Sequence, residues 1–162
     1  MHQNENALNF IPFTSASVKE VEGWFDDPDT QRFLGGREWL RRIPALLQDS
    51  PGVEFRGRRV LARHAWIVYT TGSPVGIVDV ERYDDGTAGL ALAVAPAMRG
   101  KGIGRRILSN LQTLDGLAEV KAFIGAVEPD NEAARRCMRG ARFEVAERED
   151  EEGMLRISRS AA

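Results

Sequence analysis

Apolar residues recur every three or four positions in four stretches of the chain, and this spacing predicts four helices. We expect Ser17 to cap the first helix, with Glu20 as its capping-box partner. The stretch 26–29, Asp-Asp-Pro-Asp, is expected to break that helix or restart it. The other three helices are expected after Gly35-Gly36, at about 103–115 and near 131–139.

Strands are predicted where apolar and β-branched residues run between turn residues. The strand at 8–13 is expected at a sheet edge, because Pro12 has no N–H to donate within a sheet. Asp84-Asp85-Gly86 is a hairpin-turn signal. Residues 50–61 predict an irregular loop. The remaining strands are expected at 65–70, 75–83, 87–95, 120–127, 143–147 and 154–158.

The resulting order of elements is β-α-α-β-β-β-α-β-α-β-β. Strands and helices alternate over only part of the chain, which predicts an α/β (α+β) fold with a mixed sheet. A length of 162 residues suits a single domain over 1–162 with a sizeable core. We find no internal repeat and no low-complexity linker.

Composition narrows the classes of function. A net charge of −2 argues against broad binding to nucleic acid, which needs a basic surface. Cys137 is the only cysteine and two histidines occur, so we expect neither a disulfide nor a metal site. Residues 1–9 lack a secretory apolar core, and no apolar run approaches membrane-spanning length. We therefore expect a cytoplasmic protein with no membrane partner.

A glycine-rich segment, Arg99–Gly104, joins the strand at 87–95 to the helix that follows. Glycine permits positive φ and close approach of a ligand, and a helix start offers free N–H groups to an anion. This chemistry predicts a phosphate or pyrophosphate site. Two known phosphate-binding motifs do not fit. A P-loop has Ser or Thr after its lysine, whereas Lys101 is followed by Gly102. A dinucleotide-binding fingerprint has a third glycine where this chain has Arg105 or Ile107.

The segment from Val94-Ala95-Pro96 to Gly104 resembles the acetyl-CoA-binding motif of GNAT-type N-acetyltransferases, and the order of elements resembles that family over nearly the whole chain. The resemblance implies transfer of an acetyl group from acetyl-CoA to a primary amine of a small molecule or protein. It implies that loop amides hold the pyrophosphate and that a strand splayed at a bulge pairs with the pantetheine arm. The implied contacts are Ala93, Val94, Arg99, Gly100, Lys101, Gly102, Ile103, Gly104 and Arg105.

Glu128–Ala134 resembles the family segment in which an asparagine, here Asn131, caps a helix and touches the coenzyme. On physical grounds either Asp130 or Asn131 suits the cap. Many members carry a proton-donating tyrosine seven residues further on, where this chain has Met138. Cys137 is either a substitute donor or a small buried residue.

The helix end also departs from the family. Its usual Gly-Phe pair reads Arg142-Phe143 here, with the glycine at Gly140, so the helix is expected to stop two residues early or the alignment to slip.

Three carboxylates are candidates for the base that deprotonates the amine. Asp79 and Glu81 share one face of their strand, and Glu128 ends the strand after the next helix. Each has the alternative of being a solvated or salt-bridged surface group. Because Met138 cannot donate a proton, a non-catalytic acyl-CoA-binding sensor is the alternative function. The acceptor stays unidentified, and a homodimer stays open.

Overall fold

A mixed β-sheet organises this protein, and the computed structural model describes residues 7–34 and 36–161 of the chain. Within those residues the sheet has eight strands, in the order β1-β3-β4-β5-β6-β8-β7, and β2 pairs with β3. Only β5 and β6 are parallel neighbours in this sheet. The strands are β1 Asn9–Pro12, β2 Glu54–Phe55, β3 Arg58–Thr70, β4 Ser73–Tyr83, β5 Thr87–Val94, β6 Ala122–Val127, β7 Glu144–Val145 and β8 Leu155–Ser160.

Helices cover both faces of the sheet. Their bounds are α1 Ser15–Val21, α2 Pro28–Leu34, α3 Arg37–Asp49, α4 Ile103–Ser109 and α5 Glu132–Gly140. One core lies between the sheet and α1 and α3, around Phe25, Leu40 and Ile77. The larger core lies against α4 and α5, around Ile107 and Phe123. The mixed fold predicted from the sequence is confirmed.

Two predicted helix boundaries are wrong for local reasons. The first helix begins at Ser15 with Thr14 as its N-cap, and Ser17 instead accepts the Thr14 N–H at 3.0 Å. Glu20 accepts a hydrogen bond from the Tyr69 hydroxyl rather than completing a cap. The helix expected at 103–115 ends at Ser109, where two side chains bond carbonyls one turn back and a 3₁₀ turn follows.

The predicted loop at 50–61 is wrong over its second half, which forms a hairpin of β2 and the start of β3. Its two-residue turn, Arg56-Gly57, has positive φ at both positions, 52° and 79°. This is the backbone twist that two-residue hairpin turns favour. The sequence does not predict this turn, because its first position holds an arginine where Asn or Asp is usual. The hairpin brings Phe55 over the sheet face that α3 covers.

The chain also has one short helix, α2, and one short strand, β2, more than predicted. Pro28 starts α2, so the stretch 26–29 restarts the helical path rather than ending it. Pro44 is accommodated inside α3, which is continuous from Arg37 to Asp49. Among the described residues, no helix is long and apolar enough to cross a membrane.

Candidate functional site

Strands β5 and β6 separate partway along their length. They pair in parallel only from Thr87 to Gly89, opposite Ala122 to Ile124. Beyond that point β5 stays paired with β4 as far as Val94, with no register shift in that ladder. The splayed strand expected from the family resemblance is therefore present, while the ladder that β5 makes with β4 has no bulge. A V-shaped gap opens along one edge of β5.

The backbone of β5 presents alternate residues to this gap. Ala95 N–H donates to Val75 O on β4 at 2.9 Å, and the Ala93 carbonyl also lies on the β4 side, close to Gly76. Since backbone groups alternate along a strand, those of Leu92 and Val94 point into the gap.

The glycine loop lies where β5 leads into α4. Gly100 and Gly102 have φ of 75° and 78°, a region that other residues rarely adopt. Arg106 N–H returns to Gly102 O at 3.1 Å, which closes the first helical turn. Across residues 7–34 and 36–161, nothing accepts a hydrogen bond from the six amides Gly100 to Arg105. The loop thus offers consecutive unpaired donors, as an anion requires.

The two cations of the loop have different surroundings. The Arg99 guanidinium turns away toward α2, where it donates to Asp27 Oδ2 at 2.8 Å and Thr30 Oγ1 at 2.5 Å. The Thr30 amide and then Arg99 lower the pKa of Asp27. Lys101 is exposed and makes no ion pair with the part of the chain that the structure describes. Lys101 is therefore the loop cation whose charge is not already matched.

Asn131, rather than Asp130, caps α5. Its Oδ1 accepts the Ala134 N–H at 3.1 Å. Asp130 instead pairs with Arg32 of α2. Helix α2 thus contacts both loops that border the mouth of the gap, through Thr30 to Arg99 and through Arg32 to Asp130.

On the α3 side of the sheet, a cleft of about 850 Å³ opens over the point where β5 and β6 part. Its floor carries Asp79 and Glu81 of β4, opposite Ala91 and Gly89 of β5. Its far wall is the β7–β8 region, with Glu144 and Glu147. The gap and the cleft meet at the same stretch of β5.

Arg63 of β3 binds both carboxylates at the cleft floor. Its Nε and Nη2 donate to Asp79 Oδ1 and Oδ2 at 2.9 and 2.5 Å, and its Nη1 donates to Glu81 Oε1 at 2.7 Å. Burial lowers the pKa of Arg63, but the hydrogen bond and charge of Asp79 raise it by more, so the pKa of Arg63 is raised overall. Asp79 is 5% exposed with both oxygens occupied, whereas the Glu81 side chain is 24% exposed.

Tyr83 completes this floor. Its hydroxyl donates to Glu81 Oε2 at 3.4 Å and rests against Gly89, where a Cβ would lie 2.9 Å from the oxygen. Burial first, and then Glu81, raise the pKa of Tyr83 to about 12, so the hydroxyl stays protonated at neutral pH. Sequence reasoning missed both Arg63 and Tyr83. The partners of Arg63 lie on the neighbouring strand β4. Tyr83 lies two residues after Glu81 on the same face of β4, and that spacing is the signal that could have found it.

Glu128 is separated from the other two predicted carboxylates. It follows the end of β6, its carbonyl accepts the Asn131 N–H at 3.0 Å, and it does not line the cleft. The structure therefore brings Asp79 and Glu81 together and leaves Glu128 at the α5 cap.

Met138 occupies the position where many family members carry a tyrosine. Met138 is 6% exposed and packs in the core between the sheet and α4 and α5. Cys137 Sγ faces Gly104 of α4, and burial raises the pKa of this thiol.

The early helix end expected at Gly140 is wrong. Gly140 is helical, and Arg142 takes the left-handed conformation with φ of 69°. Arg142-Phe143 thus occupies the place of the family's Gly-Phe pair, with arginine where glycine is usual.

Comparison with known proteins agrees with this geometry. The model of the Acetyltransferase (GNAT) family matches residues 15–142. An uncharacterized N-acetyltransferase, YfmK of Bacillus subtilis strain 168, is 28% identical over 145 residues, covering 86% of this chain and 88% of that protein. Aminoglycoside acetyltransferase AAC(6')-Ib in complex with coenzyme A superposes with a TM-score of 0.74 at 18% identity, covering 95% of each chain. An acetyltransferase from Thermus thermophilus superposes with a TM-score of 0.73 at 21% identity, covering 96% of this chain and 97% of that one.

Proposed function

The chain belongs to the acetyltransferase (GNAT) family, and from that premise we propose that it transfers the acetyl group of acetyl-CoA to a primary amine. The observation that carries the proposal is the gap between β5 and β6, with unpaired loop amides at one end and a carboxylate-bearing cleft beside it. Bound acetyl-CoA supplies the thioester carbonyl that the amine attacks and the thiolate that leaves.

The loop residues fit a pyrophosphate. We assign its binding to the amides of Gly100, Lys101, Gly102, Ile103, Gly104 and Arg105, with the Lys101 ammonium beside them. Arg99 contributes least on this assignment, because its amide lies 3.4 Å from Pro96 O and its guanidinium is held by Asp27. Asn131 has a free side-chain Nδ2 in the described structure, since only its Oδ1 is used in the cap.

The gap fits the pantetheine arm as an added strand. The partners on β5 are the backbone groups of Leu92 and Val94, because those of Ala93 are turned toward β4. The Ala93 side chain is 3% exposed and packs in the core on the α1 and α3 side of the sheet. We assign stabilisation of the developing oxyanion to an N–H of β5 near Val94, the role that preorganised backbone donors have in acyl transfer.

Glu81 is the base that we favour for the amine. An alkylammonium has a pKa near 10.4, so at neutral pH a proton must be removed before attack. Asp79 has no free oxygen, because Arg63 holds both. Glu81 shares only Oε1 strongly with Arg63 and directs Oε2 toward Tyr83 and the cleft. Arg63 and Tyr83 orient it as positioning residues.

The lack of a tyrosine at Met138 limits the rate without preventing the reaction. A thiolate with a conjugate-acid pKa near 8.5 is a fair leaving group at neutral pH, and a general acid contributes roughly 10²–10⁴-fold. We therefore expect slow but real turnover.

A small-molecule acceptor is the acceptor class that we favour. The cleft of about 850 Å³ is within the range of small-ligand sites. The neighbour AAC(6')-Ib has been solved with coenzyme A and kanamycin, an amine of that class. A protein amine is the alternative acceptor.

The test is release of free thiol from acetyl-CoA with a panel of primary amines, with mass spectrometry of the acetylated amine. Turnover with at least one amine is the expected result. Tight binding of acetyl-CoA with no acetylated product from any amine would instead support the acyl-CoA-binding sensor, the alternative that Met138 favours.

A further inference from the structure

A second cavity, of about 390 Å³, adjoins the cleft beneath the β2–β3 hairpin. Its apolar wall consists of Leu46, Val53, Phe55 and Val60. Val53 and Phe55 are 51% and 48% exposed, which is high for large apolar side chains. The cavity therefore presents apolar surface that a ligand could remove from water.

The two spaces share four residues: Phe55, Arg63, Glu81 and Tyr83. The two spaces therefore adjoin at these residues, and an amine held at Glu81 lies at the border of the second cavity.

The buried polar groups that border the second cavity are already satisfied. Ser50 Oγ accepts from Arg63 Nη1 at 3.3 Å, and Tyr83 donates to Glu81. A polar or charged ligand group placed here would gain no buried partner and would lose its hydration. Asp49 also lines the cavity, but it is exposed, and an ion pair with an exposed carboxylate contributes at most about 1 kcal/mol. An apolar group therefore gains more than a charged group from entering.

We propose that this second cavity is an acceptor subsite for an apolar substituent, so that the acceptor is an amphipathic amine with a hydrocarbon or aromatic group a few carbons from the reacting nitrogen. The proposal rests on the proposed function, since it places the amine at Glu81. A polycationic acceptor would instead use the carboxylates Glu144 and Glu147 on the far wall of the cleft.

The test measures binding of ethylamine, butylamine, hexylamine and 1,6-diaminohexane to the protein saturated with coenzyme A, by calorimetry. Each buried methylene should tighten binding about fourfold, so hexylamine should bind on the order of 100-fold more tightly than ethylamine. The diamine has the same length but a terminal charge, and it should lose most of this gain. No binding by any amine, equal binding along the series, or a preference for the diamine would overturn the proposal.

Two matched variants locate the effect. Val53→Asn puts a polar group in the cavity wall and should weaken hexylamine binding at least tenfold while leaving ethylamine unchanged. Leu61→Asn is the control, because Leu61 is 52% exposed and lines neither cavity. If sedimentation shows that Val53→Asn instead converts a dimer to a monomer with amine binding unaltered, the surface is an interface between copies and the proposal is wrong.

Turnover separates this proposal from the proposed function. Acetylation of all alkylamines without dependence on chain length would refute the subsite and leave the transferase standing. Length-dependent binding without any acetylation would support the subsite and count against the transferase.

Discussion

At the scale of residues, the Arg63 guanidinium binds two carboxylates, Asp79 through both oxygens and Glu81 through one. Arg63 and Asp79 form a two-point ion pair with both partners largely buried. Glu81 is bound to the same guanidinium through one oxygen and reaches the cleft with the other. On this basis we propose that Asp79 acts in the stability of the fold and Glu81 in the chemistry.

Replacing Glu81 by glutamine should lower kcat roughly 10²–10⁴-fold at neutral pH, because the amide cannot accept the ammonium proton. Affinity for acetyl-CoA should be unchanged. Steady-state thiol release and calorimetry measure the two effects.

Asp79→Asn is the matched comparison. It should lower the free energy of unfolding by roughly 3 kcal/mol, because it leaves the buried Arg63 without its main partner. Urea denaturation of both variants checks the assignment. Full activity in Glu81→Gln, or an unchanged unfolding free energy in Asp79→Asn, would reverse the two roles.

We expect His64 to make the stability of the fold depend on pH. Its ring stacks on Trp66 with centroids 5.7 Å apart, and its Nε2 accepts from Arg82 Nε at 3.3 Å. Burial, and then the charge of Arg82, lower the pKa of His64 below 6.5. The unfolded chain therefore binds a proton more readily, so stability should fall as pH drops below about 6.5.

In His64→Gln the stability should decrease less between pH 7.5 and 5.5, because glutamine does not titrate. Melting temperatures of the two proteins between pH 7.5 and 5.5 provide the measurement. An equally steep loss of stability in the variant would place the proton uptake elsewhere.

At the scale of elements, short helices depend on their neighbours. Helices α1, α2 and α4 have seven residues each, too few to persist alone in water. Helix α4 is held by close packing: a Cβ on Gly104 would lie 2.8 Å from Cys137 Sγ of α5 and 3.4 Å from side chains of Leu92 and Val94. Gly104 thus lets α4 and α5 approach each other beside the gap.

Gly104→Ala should be destabilising in the wild-type chain, because the new methyl group meets the Cys137 sulfur. In a Cys137→Ala background the sulfur is gone, and the same change should be close to neutral or stabilise by up to about 1 kcal/mol through helix propensity. A double-mutant cycle on urea midpoints measures the coupling. Additive effects would show that the two helices do not limit each other at this contact.

At the scale of the whole molecule, several local patterns predict the structure correctly, whereas partnerships between distant residues leave no signal in the sequence. The glycine loop, the hairpin turn at Asp84-Asp85-Gly86 and the paired strands β3 and β4 follow from patterns within a few residues. The sharing of Asp79 and Glu81 by Arg63 does not, because the arginine lies 16 and 18 residues away along the chain. The second cavity depends on a hairpin turn whose first residue is the unusual Arg56.

We propose that the glycine loop and the gap beside β5 hold acetyl-CoA. Calorimetric titration of acetyl-CoA into the wild-type protein, Gly102→Asp and Gly52→Asp tests this binding site. Gly102 and Gly52 have φ of 78° and 89° with nothing within 4 Å of an added Cβ, so the variants carry the same charge and similar backbone strain. We predict binding to the wild type and Gly52→Asp, and its loss in Gly102→Asp through repulsion of the pyrophosphate. Undiminished affinity in Gly102→Asp, or binding of ATP or NAD in place of coenzyme A, would show that the loop and the gap do not hold acetyl-CoA.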